Sequence, residues 1–320
     1  MTMMKRLQAA VCVLGLIAGG AAAAGTPDVK TQAPGYYRMM LGDFEVTTLC
    51  DGTFPMQVAD LLTSITRKQL QEDLDRSFLT DPVEESVNGF LINTGSKLVL
   101  IDTGAGTFFG PTVGKLVKSL EASGYRPEQV DEIYITHMHP DHIGGLVADG
   151  KRVFPNAVVR AAQAEGDYWL SQAKMEAAPK EGRDTFEDAM KALGPYVAAH
   201  RYRPFQGDVE LVPGIRAIAA PGHTPGHTLY MVESGGQKLL LWGDLMHVGA
   251  AQFPDPAVTI RFDVDSASAA EQRRKVFADA ATNRYYVGGA HLPFPALGHL
   301  RANGAGYTFV HVNYTSLQLH

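Results

Sequence analysis

The chain has 320 residues, of which 45% are hydrophobic and 19% charged, and its formal charge is −6. That length and apolar content suffice for one large packed core. A mildly acidic chain without basic runs argues against a nucleic-acid partner.

The N-terminus reads as a leader. Lys5 and Arg6 precede the apolar run Leu7 to Ala18, and small residues follow, with Ala22 and Ala24 placed for cleavage before Gly25. This pattern predicts a secretory signal peptide over residues 1–24 and one domain over 25–320. The run is too short to span a bilayer comfortably, and Cys12 lies inside it rather than just after it, which argues against a lipid anchor. The expectation is export to the periplasm or medium, with no stable membrane insertion after cleavage. Loss of Lys5 and Arg6 would take the charge from −6 to −8. Cys50 alone would remain, so no internal disulfide can form, and it reads as a small buried hydrophobe.

Tyr36 to Leu41 and Phe44 to Leu49 are strand-like runs joined by Gly42-Asp43, a hairpin signal. Asp51 to Thr66 reads as loop, with Phe54, Met56, Leu61 and Leu62 exposed. Arg67 to Leu79 places Leu70, Leu74 and Phe78 on one helical face. Glu85 to Thr94 and Lys97 to Asp102 form a second hairpin, and Pro111 to Ser123 a helix stopped by Gly124. Val130 to Thr136 is a buried strand ending at His137. A short strand at Ala157 to Ala161 is followed by helices at Ala164 to Leu170 and Thr185 to Ala199. The polar stretch Lys174 to Asp184 between them reads as a surface insertion. Strands resume at Gly214 to Ala220, Thr228 to Glu233 and Gln237 to Trp242. A helix at Asp265 to Thr282, a strand at Tyr285 to Ala290 and a final hairpin, Gly298 to Arg301 with Tyr307 to Val312, complete the pattern. Many strands with interposed helices, in two similar halves, predict a single-domain α/β, αββα four-layer sandwich.

Chemistry concentrates at strand ends. His137-Met-His-Pro-Asp-His142 packs three imidazoles and a carboxylate into six residues. His137 and His139 can converge on one ion from a turn, and Asp141 and His142 point to a second position. His223, Asp244 and His291 each follow a further strand, although His299 is an alternative to His291 and Asp244 could be a turn cap. Asp102 reads as an acceptor orienting the metal loop or, equally, as a turn cap. His227 reads as a supporting group behind the ligands. His200, His311 and His320 read as ordinary histidines.

These residues resemble the signature of the metallo-β-lactamase fold family, H-x-H-x-D-H here being His137 to His142. The resemblance implies that His137, His139 and His223 hold one ion, that Asp141, His142 and His291 hold the other, and that Asp244 bridges both. Zinc suits imidazole and carboxylate ligands, with iron, manganese or cobalt left open. Two close cations would make a bridging hydroxide the nucleophile, with Asp141 or Asp244 moving its proton. Ala33 to Arg38, Leu41 to Glu45, Asn93 to Leu98, Gly124 to Asp131 and Ala290 to Pro295 are similar to the exported methyl parathion hydrolase branch and its lactone-hydrolysing relatives. That resemblance implies small phosphotriester, lactone or aryl ester substrates and a homodimer. His247, with Phe253 and Phe262 beside it, is expected in the substrate pocket and favours the lactonases over a dedicated phosphotriesterase. Phe54, Leu61 and Leu62 form an apolar lip for substrate or a dimer contact. β-Lactam hydrolysis is disfavoured because typical lactamases of this fold lack the carboxylate matched by Asp244. A metal-binding protein without turnover is the reading from another class.

Overall fold

The computed structural model describes residue 26 and residues 28–316. The expected leader over residues 1–24 lies outside them, as does His320. Six strands form the first sheet, in spatial order Tyr36–Leu41, Phe44–Met56, Val83–Asn93, Leu98–Ile101, Glu132–Tyr134 and Val158–Arg160. Seven form the second, in order Val209–Val212, Ile215–Ala219, Thr228–Ser234, Gln237–Leu241, Tyr286–Gly288, Leu297–Asn303 and Gly306–His311.

The period-2 alternation of a strand sorts side chains to the two faces of the first sheet. Phe90, Ile92, Val99 and Ile101 enter the core shared with Ile215, Tyr230, Val232 and Leu239 of the second sheet. Leu91, Leu98 and Leu100 face the other way, onto Leu120 of helix Leu116–Ala122 and onto Phe186 and Leu193 of helix Arg183–Ala198. On the second sheet, helix Ser266–Asn283 sets Phe277 5.5 Å from the ring of Trp242. The layers are therefore helix, sheet, sheet, helix, as the pattern predicts. Tyr230 crosses between the sheets to donate to Ile135 O at 2.8 Å.

Strand direction positions the site. Leu98–Ile101 pairs in parallel with Glu132–Tyr134, and Gln237–Leu241 with Tyr286–Gly288. Parallel neighbours end on the same side. Asp102 therefore arrives beside Thr136 and His137, and Asp244 beside His291.

The structure departs from the sequence reading in several places. Phe44–Met56 is one strand, bent by an irregularity between Cys50 and Gly52, and the expected loop over 51–66 holds a short helix, Val58–Leu61, and a short strand, Leu62–Thr63, after it. Met56 and Leu62 are buried, and Cys50 is only partly so. The helix expected over 67–79 stops at Arg76, and Phe78, expected on its apolar face, adopts a left-handed φ of 56° and is 97% exposed. The helix over 111–123 begins only at Leu116, after Gly114 at φ 78°. The expected insertion carries a helix of its own, Gln172–Ala177, and strand Val209–Val212 went unpredicted because it has no strong alternation.

Asp51, at that irregularity, is buried and accepts hydrogen bonds from Ala105 N at 3.0 Å, Gly114 N at 2.8 Å and Leu116 N at 2.9 Å. It ties the loop after Asp102 to the first sheet. Gly104 must lie against it, since a Cβ there would sit 2.3 Å from Asp51 Oδ1. Asp51→Ala leaves the buried N–H groups of Ala105 and Leu116 and the more exposed one of Gly114 without their acceptor and should cost about 3 kcal/mol. Urea denaturation measures this; a loss below about 1 kcal/mol would show that water replaces the carboxylate.

Candidate metal centre

The seven sequence-predicted ligands come together as two groups that share Asp244. His137, His139, His223 and Asp244 form one group, and Asp141, His142, Asp244 and His291 the other. Within each group the candidate ligand atoms lie within 4.8 Å of one another. His223 Nε2 is 3.2 Å from His137 Nε2 and 3.0 Å from His139 Nδ1. Asp244 Oδ2 is 3.5 Å from His137 Nε2 and 3.2 Å from His291 Nε2, while Oδ1 is 3.1 Å from His142 Nε2. Asp141 Oδ2 reaches His142 and His291 at 3.4 and 3.3 Å. His299 is elsewhere, with its Nδ1 against Tyr285 O, so it does not compete with His291.

The residues fit divalent cations. His223 Nδ1 is 2.9 Å from the Asp263 carboxylate, which calls for a proton on that nitrogen and makes Nε2 the ligand atom once its own proton is displaced. His223 Nε2 faces two further ring nitrogens, and one imidazole nitrogen cannot make a full hydrogen bond to both. His142 Nε2 and Asp244 Oδ1 are buried without a hydrogen-bond partner. Lone pairs that converge in this way define coordination vertices.

Several of the imidazoles are oriented from behind. Asp102, at φ 57° after its strand, accepts from Thr136 N at 2.8 Å and Thr136 Oγ1 at 2.7 Å, and lies 2.9 Å from His142 Nδ1. His291 Nδ1 is 2.9 Å from Ser86 O. His227 Nε2 accepts the Asp244 N–H at 3.1 Å, and burial keeps its pKa down at about 3, so the ring is a neutral acceptor. Asp102 is thus an acceptor behind His142, and His227 a support behind Asp244. Asp263 was missed, because it follows Phe262 in an irregular stretch where no periodicity marks it. Its only signal is the requirement that each ligand histidine have an acceptor on its far nitrogen.

Charge in the cluster is strongly coupled. Burial alone would raise the Asp141 and Asp244 carboxyls, yet the surrounding imidazoles, His142 foremost, hold both well below the usual range. Burial together with neighbouring imidazoles pushes His137 and His139 well below theirs. For His142 and His291, burial pushes down but Asp244 and Asp141 push harder, so both are raised well above the ordinary value.

A cavity of about 440 Å³ opens onto the cluster. His139, Asp141, Asp244 and His291 form its floor, and Phe54, Phe109, Trp169, Phe186 and Phe262 supply aromatic walls. Phe54 meets Phe109 edge-on at 5.0 Å, and Trp169 meets His139 at 5.5 Å. His247 lines the cavity with its Nε2 3.0 Å from Asp244 Oδ2, and burial lowers its pKa to about 4. Its backbone N–H and that of Val248 both donate to Gln252 Oε1 at 2.9 Å.

Three expected pocket residues are elsewhere. Phe253 stacks on Phe309 and packs at a tilt on Phe277 in the inter-sheet core, and it lines a different cavity, shared with His247 and His291. Leu62 pairs with Ile260 in a two-stranded ribbon and is buried with Val58 and Leu70, and Leu61 packs against the same cluster. Their places are taken by Phe109, Tyr168, Trp169, Phe186 and Arg261, three of them, Tyr168, Trp169 and Phe186, from stretches read as helix.

A family model described as the metallo-beta-lactamase superfamily matches residues 82–291, which contain all seven candidate ligands. The chain belongs to the metallo-beta-lactamase superfamily. An N-acyl homoserine lactonase of Bacillus cereus is 27% identical over 205 residues, 58% of this chain and 74% of the lactonase. Among solved structures, the hydrolase AbOPH is 36% identical with a TM-score of 0.86, over 89% of this chain and 100% of that one. AidC, a dizinc quorum-quenching lactonase solved with a product, is 28% identical with a TM-score of 0.82, over 88% of this chain and 99% of its own. The fold and a metal-dependent hydrolase character are therefore shared with this superfamily.

The Asp244 and Asp141 carboxylates raise His142 and His291 well above the ordinary imidazole value in the metal-free cluster, and coordination requires each ring to give up the proton this favours. Calorimetric titration of zinc at pH 7, in two buffers of different ionisation enthalpy, should show net proton release and an affinity that falls as the pH is lowered. Equal heats in the two buffers would contradict this assignment.

Proposed function

We propose that this chain is a dinuclear metal-dependent hydrolase of lactones and aryl esters, with side activity on phosphotriesters. The observation that carries the reading is one aromatic cavity opening onto two ligand groups joined by Asp244. The related lactonases support it. Export and a homodimeric state belong to the same proposal and rest on the leader pattern and the branch resemblance.

Two divalent ions, most simply zinc, held by the two ligand groups would supply Lewis acidity and acidify a bound water. The chain's own part is positioning and proton handling. The walls hold the acyl or aryl portion and exclude solvent from the reacting centre. Asp141 is the more accessible of the two shared-site carboxylates, at 11% against 3% for Asp244, and both line the cavity. Either can take the nucleophile's proton and return it to the leaving oxygen. His247, neutral at pH 7, offers a hydrogen bond to the ester carbonyl or to the leaving alkoxide. That polar group favours a lactone over a bulky phosphotriester. The alternative, a dedicated phosphotriesterase, draws on the aromatic walls, which suit aryl leaving groups.

The purified, metal-loaded chain should show a higher kcat/KM on acyl-homoserine lactones and dihydrocoumarin than on methyl parathion. A phosphotriester that leads by orders of magnitude would overturn the lactonase reading. His247→Leu should move the lactone-to-phosphotriester ratio towards the phosphotriester by about tenfold, equivalent to about 1.4 kcal/mol between the two barriers. An unchanged ratio removes His247 from substrate discrimination.

A further inference from the structure

Helix Gln163–Trp169 carries a carboxylate with no role in the chemistry above. Glu165 is 0% exposed, and its hydrogen bonds come from three neutral donors rather than from a cation. Oε1 accepts from Met138 N at 2.8 Å. Oε2 accepts from Thr224 Oγ1 at 2.9 Å and from Gly226 N at 2.8 Å. Met138 lies between His137 and His139, and Thr224 follows His223. One side chain thus straps together the two segments that supply all three imidazoles of one ligand group. None of its bonds reaches Asp141, His142 or His291.

Two further contacts place the helix as a backing plate for that group. Gly226 lies so close that a Cβ there would be 2.4 Å from Glu165 N, so the His223 loop is pressed against the first turn of the helix. At the other end Trp169 packs edge-on against His139. Burying a carboxylate without a counter-ion is costly unless its hydrogen bonds are complete. Without it, the N–H groups of Met138 and Gly226 would be buried orphans and the two loops would lose their direct link. Ligand distances must hold to within about 0.2 Å for tight binding, so small relaxation of either loop is felt at the ion.

Building on the dinuclear reading, we propose that Glu165 is a positioning residue that sets the convergence of His137, His139 and His223 and thereby the affinity of one metal position alone. Outer partners of this kind change metal affinity by about 10- to 100-fold when removed.

The test is cobalt(II) titration of the metal-free full chain against a competing chelator, following the visible absorption bands. Wild type should fill in two steps, and His139→Ala identifies the step that belongs to its group. Glu165→Ala should weaken that step by about 10- to 100-fold and leave the other unchanged. Glu165→Gln should fall between, because an amide oxygen can accept on one side of the strap but not on both. If the alanine variant does not fold, the glutamine variant carries the test. Val232→Ala, a cavity in the inter-sheet core, should lower Tm with both steps intact, which separates positioning from general destabilisation. Both steps weakened alike, or neither weakened, overturns the role of Glu165. A wild type that fills only one step refutes the dinuclear reading itself, and the proposal with it.

Discussion

The structure depends on one buried carboxylate. Asp244 lies within 3.5 Å of ring nitrogens from His137, His142, His223, His247 and His291, drawn from four separate stretches of chain. In a site this dry an ionised carboxylate is held only by opposing charge and hydrogen bonds. The surrounding imidazoles supply that charge through protons, and divalent ions would supply it through coordination. The cluster is therefore stable as a charged object only when it holds several positive charges, and this is why the same residues that are costly to bury are suited to two cations.

The scaffold makes such a cluster possible by aiming strand ends. Two parallel pairs, one in each sheet, finish on the same side, and the loops that follow are too short to wander. Behind them stand acceptors on the far ring nitrogens: Asp102 for His142, Asp263 for His223 and Ser86 O for His291. His227 anchors the backbone of Asp244 itself. Arg273, fully buried on the helix under the second sheet, donates to Leu245 O and to Val258 O, and so braces the loop that carries Asp244 and His247. The ligand geometry is thus imposed from outside inwards.

Much of this was readable from residue order, for a physical reason. A ligand that directly follows an apolar strand is marked twice, by its own chemistry and by the periodicity that ends before it. His137, His223, Asp244 and His291 all have that signature. Asp263 has only the chemistry, and Phe253, Leu61 and Leu62 have only hydrophobicity. An apolar residue near a ligand reads equally as pocket wall or core. The choice is made by tertiary pairing, here of Leu62 with Ile260 and of Phe253 with Phe309, almost 200 and about 56 residues apart in sequence for reasons no local window contains. The helix over 67–79 failed at Phe78 for a related reason, since apolar spacing continues past the point where the backbone turns into a left-handed residue.

The central claim is that one carboxylate serves two metal positions. Anomalous diffraction at the metal edge, on crystals of the metal-loaded chain, tests it most directly. The account predicts two peaks about 3.5–4 Å apart, each within bonding distance of a different Asp244 oxygen or of the carboxylate as a whole. A single peak, or a second one that Asp244 does not touch, would contradict it.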